Sequence, residues 1–154
     1  MNKYMETANS LAKDNLITKV GGPFGACVVK DGEIIGRGSN HVLANNDPTA
    51  HAEIMAIREA AKTLKTHDLS NCEIYTSCYP CPMCLSAIIW ANIKVIYYGN
   101  TKDDADMIGF RDDFIYDYIK SIDKSDLLNI KQIDRDETIK VFEEYEKDKT
   151  NKIY

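Results

Sequence analysis

Apolar and polar residues alternate with two different periods along the first forty residues. Between Lys3 and Leu16, apolar residues recur every three or four positions, which is typical of a helix with one buried face. The next apolar run, residues 24–39, is interrupted by the pair Asp31-Gly32, and such a pair between two extended segments predicts a β-hairpin. The pattern therefore predicts a helix followed by two antiparallel strands.

The helical period returns over residues 46–65. Asp47 or Thr49 is the expected N-cap of this helix, and Pro48 lies where a first-turn proline is tolerated. Its expected apolar stripe comprises Ile54, Ile57, Ala61 and Leu64. The later elements predicted, in chain order, are a strand at 72–77, a helix at 80–91, a strand at 94–99, loops and short helices at 101–126, a strand at 129–134 and a helix at 136–149.

This order of elements predicts an α/β fold in which helices cover both faces of one sheet, a three-layer α-β-α sandwich. Strands joined through a crossover helix run parallel, whereas the hairpin is antiparallel, so the sheet is expected to be mixed. The 154 residues suit a single domain, 1–154, and no linker or repeat divides them.

Charge and cysteine usage narrow the functional classes. The net charge is −5, so we expect no general affinity for the phosphate backbone of nucleic acids. The first ten residues are polar and no run of about 20 apolar residues occurs, so we expect neither a signal peptide nor a membrane span. Three of the five cysteines lie close together, which favours a metal or catalytic cluster in a reduced, cytoplasmic compartment over a disulfide framework.

The clustered cysteines, Cys78, Cys81 and Cys84, are not expected to be equivalent. Because Tyr79 precedes a proline, it is expected to be extended, and the helix is expected to begin at Pro80. Cys81 and Cys84 then lie on one face of the first helical turn, whereas Cys78 ends the preceding strand. Thiolates near a helix N-terminus are good zinc ligands, so we expect Cys81 and Cys84 to bind metal and Cys78 to pack.

A third ligand is expected from His51, which is followed two positions later by Glu53. His-x-Glu combined with Pro-Cys-x-x-Cys is the signature of zinc deaminases. One histidine and two cysteines leave the fourth zinc position open, which marks a catalytic site with one Zn²⁺ per chain. Zinc lowers the pKa of its water to about 7, and Glu53, which is not a ligand, is expected to carry the proton to the substrate.

At these motifs the sequence resembles the cytidine/deoxycytidylate deaminase superfamily and, more narrowly, the bacterial guanine deaminases within it. The resemblance covers nearly the whole chain, and its most specific stretches are GGPFGACVVKDG, NDPTAHAE, TSCYPCPMCLSAIIWA, GFRDDFIY and NKIY. It implies a cytidine-deaminase-like fold with a five-stranded mixed sheet. It also implies a homodimer, in which the C-terminal segment of about residues 134–154 is swapped onto the partner chain.

The resemblance also implies roles for individual residues. His51, Cys81 and Cys84 match the zinc ligands, and Glu53 matches the proton shuttle. Asp112 matches an acid that reads purine nitrogens and assists proton transfer. The implied substrate contacts are Phe24, Asn40, Ala52, Trp90, Asp112 and Tyr154.

Tyr154 matches an aromatic that closes the active site from the partner chain. Tyr79 stands where the family pattern often has glutamate, and Arg111 stands where an acid is expected. Independently of the resemblance, Trp90 lies in an apolar helix, and we expect it to pack in the core.

The implied function is hydrolytic deamination of guanine to xanthine and ammonia in purine metabolism, by a zinc-bound hydroxide with Glu53 as the proton shuttle. The alternatives are a tRNA adenosine deaminase, against which the acidic charge balance argues, and a cytosine or cytidine deaminase. A structural zinc module is the alternative outside enzymes. The incomplete ligand set beside Glu53 argues against it, because structural zinc normally has four protein ligands.

Overall fold

The computed structural model describes residues 2–120 and 127–152. The helices are α1 (Lys3–Thr18), α2 (Val42–Asn45), α3 (Ala52–Leu64), α4 (Pro82–Trp90), α5 (Lys102–Met107), α6 (Asp113–Lys120) and α7 (Arg135–Lys147). The strands are β1 (Gly25–Lys30), β2 (Glu33–Ser39), β3 (Glu73–Cys78) and β4 (Val95–Asn100). The chain divides into two compact units, Met1–Asp117 and Tyr118–Tyr154. Within the described ranges, none of the helices has the length and apolar character to cross a bilayer.

The four strands form one mixed sheet in the order β2-β1-β3-β4. β1 is antiparallel to both of its neighbours, and β3 is parallel to β4. The hairpin prediction is confirmed, because Lys30 pairs with Glu33 across a two-residue turn. Asp31 and Gly32 both have positive φ, 50° and 82°, as a type I′ turn requires.

The two faces of the sheet are covered by different helices, which confirms the layered α/β fold. Along β1, Ala26 and Val28 belong to the core cluster formed with α3 and α4. The alternate residues Cys27 and Val29 belong to a second cluster, against which the side chains of α1 pack. Since successive residues of a strand point to opposite faces, the sheet is buried on both sides.

Helix α3 approaches β2 closely enough to require glycine in the strand. A Cβ atom on Gly38 would overlap the backbone of Ala52 and Ala56. The fully buried residues of α3 are accordingly alanines, at positions 52, 56 and 60. The predicted stripe of larger residues, such as Ile54 and Ile57, is only half-buried. Ile57 and Leu64 of the predicted stripe do pack against the core, but the fully buried line runs through the alanines, because glycines on the facing strand let the helix backbone come close.

Two helices begin later than predicted. α3 begins at Ala52 rather than near residue 46, because the Asp47 carboxylate accepts hydrogen bonds from the Thr49 amide (2.8 Å) and hydroxyl (2.6 Å) in a local turn. α4 begins at Pro82 rather than at Pro80. In both cases the residues N-terminal to the helix are extended or in a turn, and a metal-ligand candidate, His51 or Cys81, is the N-cap.

The fifth predicted strand, residues 129–134, is wrong: the described residues form four strands. Ile130 and Ile133 are 76% and 75% exposed. They are three positions apart and would lie on opposite faces of a strand, so the segment offers no single apolar face to a sheet. The short helices α5 and α6 agree with the expectation for residues 101–120.

We expect Gly38→Ala to lower the free energy of unfolding by about 2–3 kcal/mol, because the new methyl group would meet helix backbone that cannot rotate away. Urea denaturation of the zinc-loaded protein measures this. The matched control is Arg37→Ala, an exposed neighbour in the same strand, which should change stability by less than about 0.5 kcal/mol. Equal stability of the two variants would contradict the close approach of α3 to β2.

Candidate active site

Two helix N-termini carry the expected metal ligands. His51 is the N-cap of α3, with extended backbone at φ −70° and ψ 156°. Cys81 is the N-cap of α4, again extended, at φ −66° and ψ 169°. Cys84 follows in the first turn of α4 and is completely buried. The four first amides of a helix have no partner within the helix, so both ends present partial positive charge near the ligands.

The three ligand atoms have the spacing of a tetrahedral zinc centre. His51 Nδ1 lies 3.6 Å from Cys81 Sγ and 3.6 Å from Cys84 Sγ. Zn–N and Zn–S bonds of about 2.05 and 2.3 Å at a tetrahedral angle give an N···S separation of about 3.6 Å. All three ligand atoms lie within 4.8 Å of one another. The donor set and its geometry therefore fit zinc, with one coordination position left over.

The thiol pKa values of the two ligand cysteines shift in opposite directions. A hydrogen bond from Cys84 lowers the pKa of Cys81 to about 4, and donating that bond raises the pKa of Cys84. A dication between the sulfurs would take the place of the proton in that hydrogen bond, since metal binding by cysteine releases it. Cys78 lies apart from this group, and its Sγ contacts the Thr101 carbonyl at 3.4 Å.

Glu53 lies beside the ligands without belonging to them. It is buried, and burial raises its pKa above the usual value. Glu53 Oε2 lies 3.4 Å from Cys84 Sγ, and Oε1 lies 3.3 Å from the Thr76 hydroxyl. A carboxylate with a raised pKa at this place can accept a proton from a group on the metal and return it to a substrate.

A cavity of about 450 Å³ opens onto Glu53 and two of the ligand residues. It is lined by Gly22, Phe24, Asn40, Val42, Leu43, Pro48, His51, Glu53, Cys78, Tyr79, Cys81, Lys102, Ala105, Phe110, Arg111 and Asp112. This volume lies within the usual range for small-molecule sites, and the mixture of apolar walls with a few polar groups is typical of them.

One wall of the cavity is aromatic. Phe24 and Phe110 meet edge to face, with ring centroids 4.9 Å apart at 88°. Gly22 lies behind both rings, where an added Cβ would approach each to 2.9 Å. The pair therefore occupies a space that only glycine leaves open, and it gives the cavity an apolar aromatic wall.

Asn40 lines the cavity with its amide held by the backbone. Its Oδ1 accepts hydrogen bonds from the amides of Gly22 (3.3 Å) and Val42 (3.1 Å). The Asn15 side chain donates to the Asn40 carbonyl at 2.8 Å, which fixes the residue further. None of the described residues accepts a hydrogen bond from Asn40 Nδ2, so this N–H group can donate to a ligand.

Asp112 also lines the cavity, and burial raises its pKa, while the positive charge of Lys102 lowers it. The Lys102 ammonium lies 4.4 Å from the Tyr116 ring centroid and 5.5 Å from that of Tyr79. Sequence reasoning did not identify Lys102 as a cavity residue. The available signal was the capping box from Thr101 to residue 104, which begins α5 at Lys102.

Two expected substrate contacts, Trp90 and Ala52, are not among the described residues that line the cavity. Trp90 is 75% exposed, so the expectation that it packs in the core is wrong. It follows the buried Ile88 by two positions, about 200° around the helix, which turns it away from the sheet. The Ala52 methyl group is fully buried in the core, which leaves only its backbone atoms for a substrate. Tyr154 lies outside the described residues.

This arrangement matches known deaminases in sequence. Residues 1–100 match the model of the cytidine and deoxycytidylate deaminase zinc-binding region. The chain is 51% identical to guanine deaminase of Bacillus subtilis (strain 168) over 121 residues, covering 79% of this chain and 76% of the relative. It is 37% identical to the tRNA-specific adenosine deaminase of Buchnera aphidicola (subspecies Schizaphis graminum), covering 82% of each chain.

The match extends to solved structures. The crystal structure of Bacillus subtilis guanine deaminase superposes with a TM-score of 0.91 at 43% identity, covering 100% of this chain and 99% of that one. A guanine deaminase from Nitrosomonas europaea gives a TM-score of 0.67 at 36% identity, covering 71% of this chain and 63% of that one. The chain therefore belongs to the cytidine and deoxycytidylate deaminase family, whose members are zinc-dependent hydrolases that remove amino groups.

Substitution of a ligand cysteine should remove zinc, whereas substitution of Cys78 should not. Cys78→Ser should retain about one zinc per chain, because Cys78 lies apart from the ligand group. Cys81→Ser and Cys84→Ser should each fall below about a tenth of that value. Elemental analysis of gel-filtered protein makes the comparison, with circular dichroism to verify folding. Loss of zinc from the Cys78 variant would contradict this ligand assignment.

Proposed function

We propose that this chain hydrolyses guanine to xanthine and ammonia. The observation that carries the proposal is the buried Glu53 carboxylate, which lies 3.4 Å from Cys84 Sγ in a three-ligand group beside a cavity suited to a planar base. The 51% identity to a guanine deaminase over most of the chain supports guanine as the base. A structural zinc module would have no use for a free buried acid beside an open coordination position.

The chemistry divides between the metal and Glu53. Zinc, when bound by His51, Cys81 and Cys84, supplies an acidified water at neutral pH. Glu53 accepts one proton of that water, whose oxygen adds to C2 of guanine, and delivers the proton to ring N3. Glu53 then takes the proton of the hydroxyl group now on C2 and passes it to the amino group. The C2–N bond breaks, ammonia leaves, and the C2 carbonyl of xanthine forms. The raised pKa of Glu53 suits both transfers, because it places the acid and base forms closer in free energy at neutral pH.

The cavity supplies matched contacts for the base. Phe24 and Phe110 provide the apolar surface against which the purine ring packs. Asn40 Nδ2 donates to the guanine carbonyl oxygen, because its Oδ1 is already used by backbone amides. Asp112 accepts from purine N–H groups and assists proton transfer. Ala52 contributes through its backbone alone.

A panel assay of ammonia release tests the substrate directly. The zinc-loaded protein is offered guanine, adenine, cytosine, cytidine and a tRNA anticodon stem-loop. We expect release from guanine, and we expect Glu53→Gln to retain zinc while kcat falls by about 10²–10⁴-fold. Release from the stem-loop alone would assign the tRNA adenosine activity. That outcome would also contradict the expectation drawn from the net charge of −5.

We further propose a cytoplasmic homodimer whose C-terminal segment, about residues 134–154, is swapped so that Tyr154 closes the partner's site. Supporting this, α7 exposes Val141 and Phe142 to 64% and 73%, an apolar surface that a second copy can cover. The five cysteines are free, as in a reduced compartment.

A complementation experiment tests the swapped tail. Deleting Ile153 and Tyr154 should lower activity about tenfold by admitting water, while zinc content stays unchanged. Refolding this deletion together with the full-length Glu53→Gln variant should restore activity, since each mixed dimer would contain one intact Glu53 site covered by one intact tail. Absence of recovery, with dimers present by sedimentation, would show that the tail does not act on the partner.

A further inference from the structure

Arg111 forms a three-residue clamp with Asp106 and Asp113. Its Nε lies 3.2 Å from Asp106 Oδ1 near the end of α5, and its Nη2 lies 3.0 Å from Asp113 Oδ2 at the start of α6. The guanidinium thus joins the two helices that flank it through different nitrogens. The fixed fork of an arginine suits this double contact, which a lysine could not reproduce with the same geometry.

The segment between the two helices bears both base contacts on this side of the cavity. Phe110 packs edge to face on Phe24, and Asp112 lines the cavity two residues later. The segment turns at Gly109, which has φ +93° and donates to the Asp106 carbonyl at 2.9 Å. Arg111 stands between Phe110 and Asp112 in sequence. Any displacement of Arg111 is therefore transmitted to both neighbours through two peptide bonds.

We propose that Arg111 is a positioning residue for base binding, which holds Phe110 and Asp112 in place by tying α5 to α6. This inference rests on the proposed deaminase function, because it concerns the geometry of that site. Arg111 also lines the cavity, but its Nε and Nη2 are engaged by two carboxylates, so we assign its role to the placement of its neighbours rather than to contact with the base. The arginine at this position, where the family resemblance led us to expect an acid, has a structural reason.

Because the clamp is exposed to solvent, its effect on kcat/KM should depend on salt concentration. The side chains of Arg111, Asp106 and Asp113 are 63%, 58% and 62% exposed. Exposed ion pairs are modest in strength and are screened by salt. Guanine is uncharged, so long-range electrostatic steering contributes little to its binding. A salt dependence of kcat/KM that disappears when Arg111 is removed would therefore report the clamp itself.

The test compares Arg111→Ala with wild type in zinc-loaded protein. We expect kcat/KM for guanine to fall about threefold to tenfold at low salt, mostly through KM, as two exposed pairs allow. Raising the salt from about 20 mM to about 500 mM should lower wild-type kcat/KM toward the variant's value, while the variant stays flat. Arg111→Lys should fall between the two. Adding Asp106→Asn to Arg111→Ala should cause no further loss, since both changes break one clamp.

The matched control is Arg58→Ala, which removes another exposed ion pair, to Asp47 at 3.7 Å, without touching the α5–α6 segment. It should leave kcat/KM and its salt dependence at the wild-type values. Zinc content and melting temperature are measured for every variant. A fall in melting temperature with unchanged kinetics would assign Arg111 a purely structural role and overturn the proposal.

Hydrogen–deuterium exchange separates this inference from the proposed function. Amides of residues 108–113 should exchange faster in Arg111→Ala than in wild type, whether or not guanine is the substrate. If the wild-type protein does not deaminate guanine, the proposed function is wrong, but the positioning role of Arg111 is not contradicted. Unchanged exchange in the variant would overturn the clamp, even if the kinetics changed, because Arg111 would then act without positioning its neighbours.

Discussion

The site depends on one constraint: the N-termini of α3 and α4 lie next to each other, so that His51 and Cys81 come within 3.6 Å. His51 and Cys81 are both N-caps, so each has extended backbone and projects its side chain before the first helical turn. The position of α3 is fixed by its close contact with the glycines of β2. The position of α4 is fixed by the end of β3, from which it is separated by only three residues. A metal site of this kind therefore inherits its geometry from buried backbone packing rather than from flexible side chains.

The same convergence sets the charge of the site. A dication held by two thiolates and a neutral imidazole has no net charge, and the buried carboxyl group of Glu53 lies beside it. The partial positive charge at the start of each helix favours the anionic sulfurs, which are otherwise costly to bury. Desolvation opposes a second fixed negative charge, and it raises the pKa of Glu53. Because ionisation of this carboxyl group is disfavoured, its protonated form is closer in free energy to its ionised form at neutral pH. A group that carries protons must pass between these two forms.

Sequence patterns predicted local features well and tertiary ones poorly. The hairpin followed from Asp31-Gly32, because that turn is specified by two adjacent residues. His51, Cys81 and Cys84 were grouped correctly even though the start of each helix was misplaced, since short-range spacing survives such an error. The buried face of α3 depends on glycines of another strand. Which side of the apolar helix α4 meets the sheet, that of Ile88 rather than that of Trp90, depends on how the helix packs. Both features are determined by packing partners that periodicity within a segment does not reveal.

The two sides of the cavity differ in how their structure is maintained, and this difference bears on how substrates are distinguished. The metal ligands and Glu53 lie within residues 1–100, the span that the family model matches, and they rest on a fully buried core. Phe110 and Asp112 lie beyond that span, on a segment tied by exposed ion pairs. Similar proteins include a guanine deaminase and a tRNA-specific adenosine deaminase, so overall similarity to this family does not by itself select the base. Weak, solvent-exposed contacts can change by single substitutions at little cost in stability, whereas buried ligands cannot. The α5–α6 segment is accordingly the part of the site in which base preference can diverge while the hydrolytic chemistry is retained.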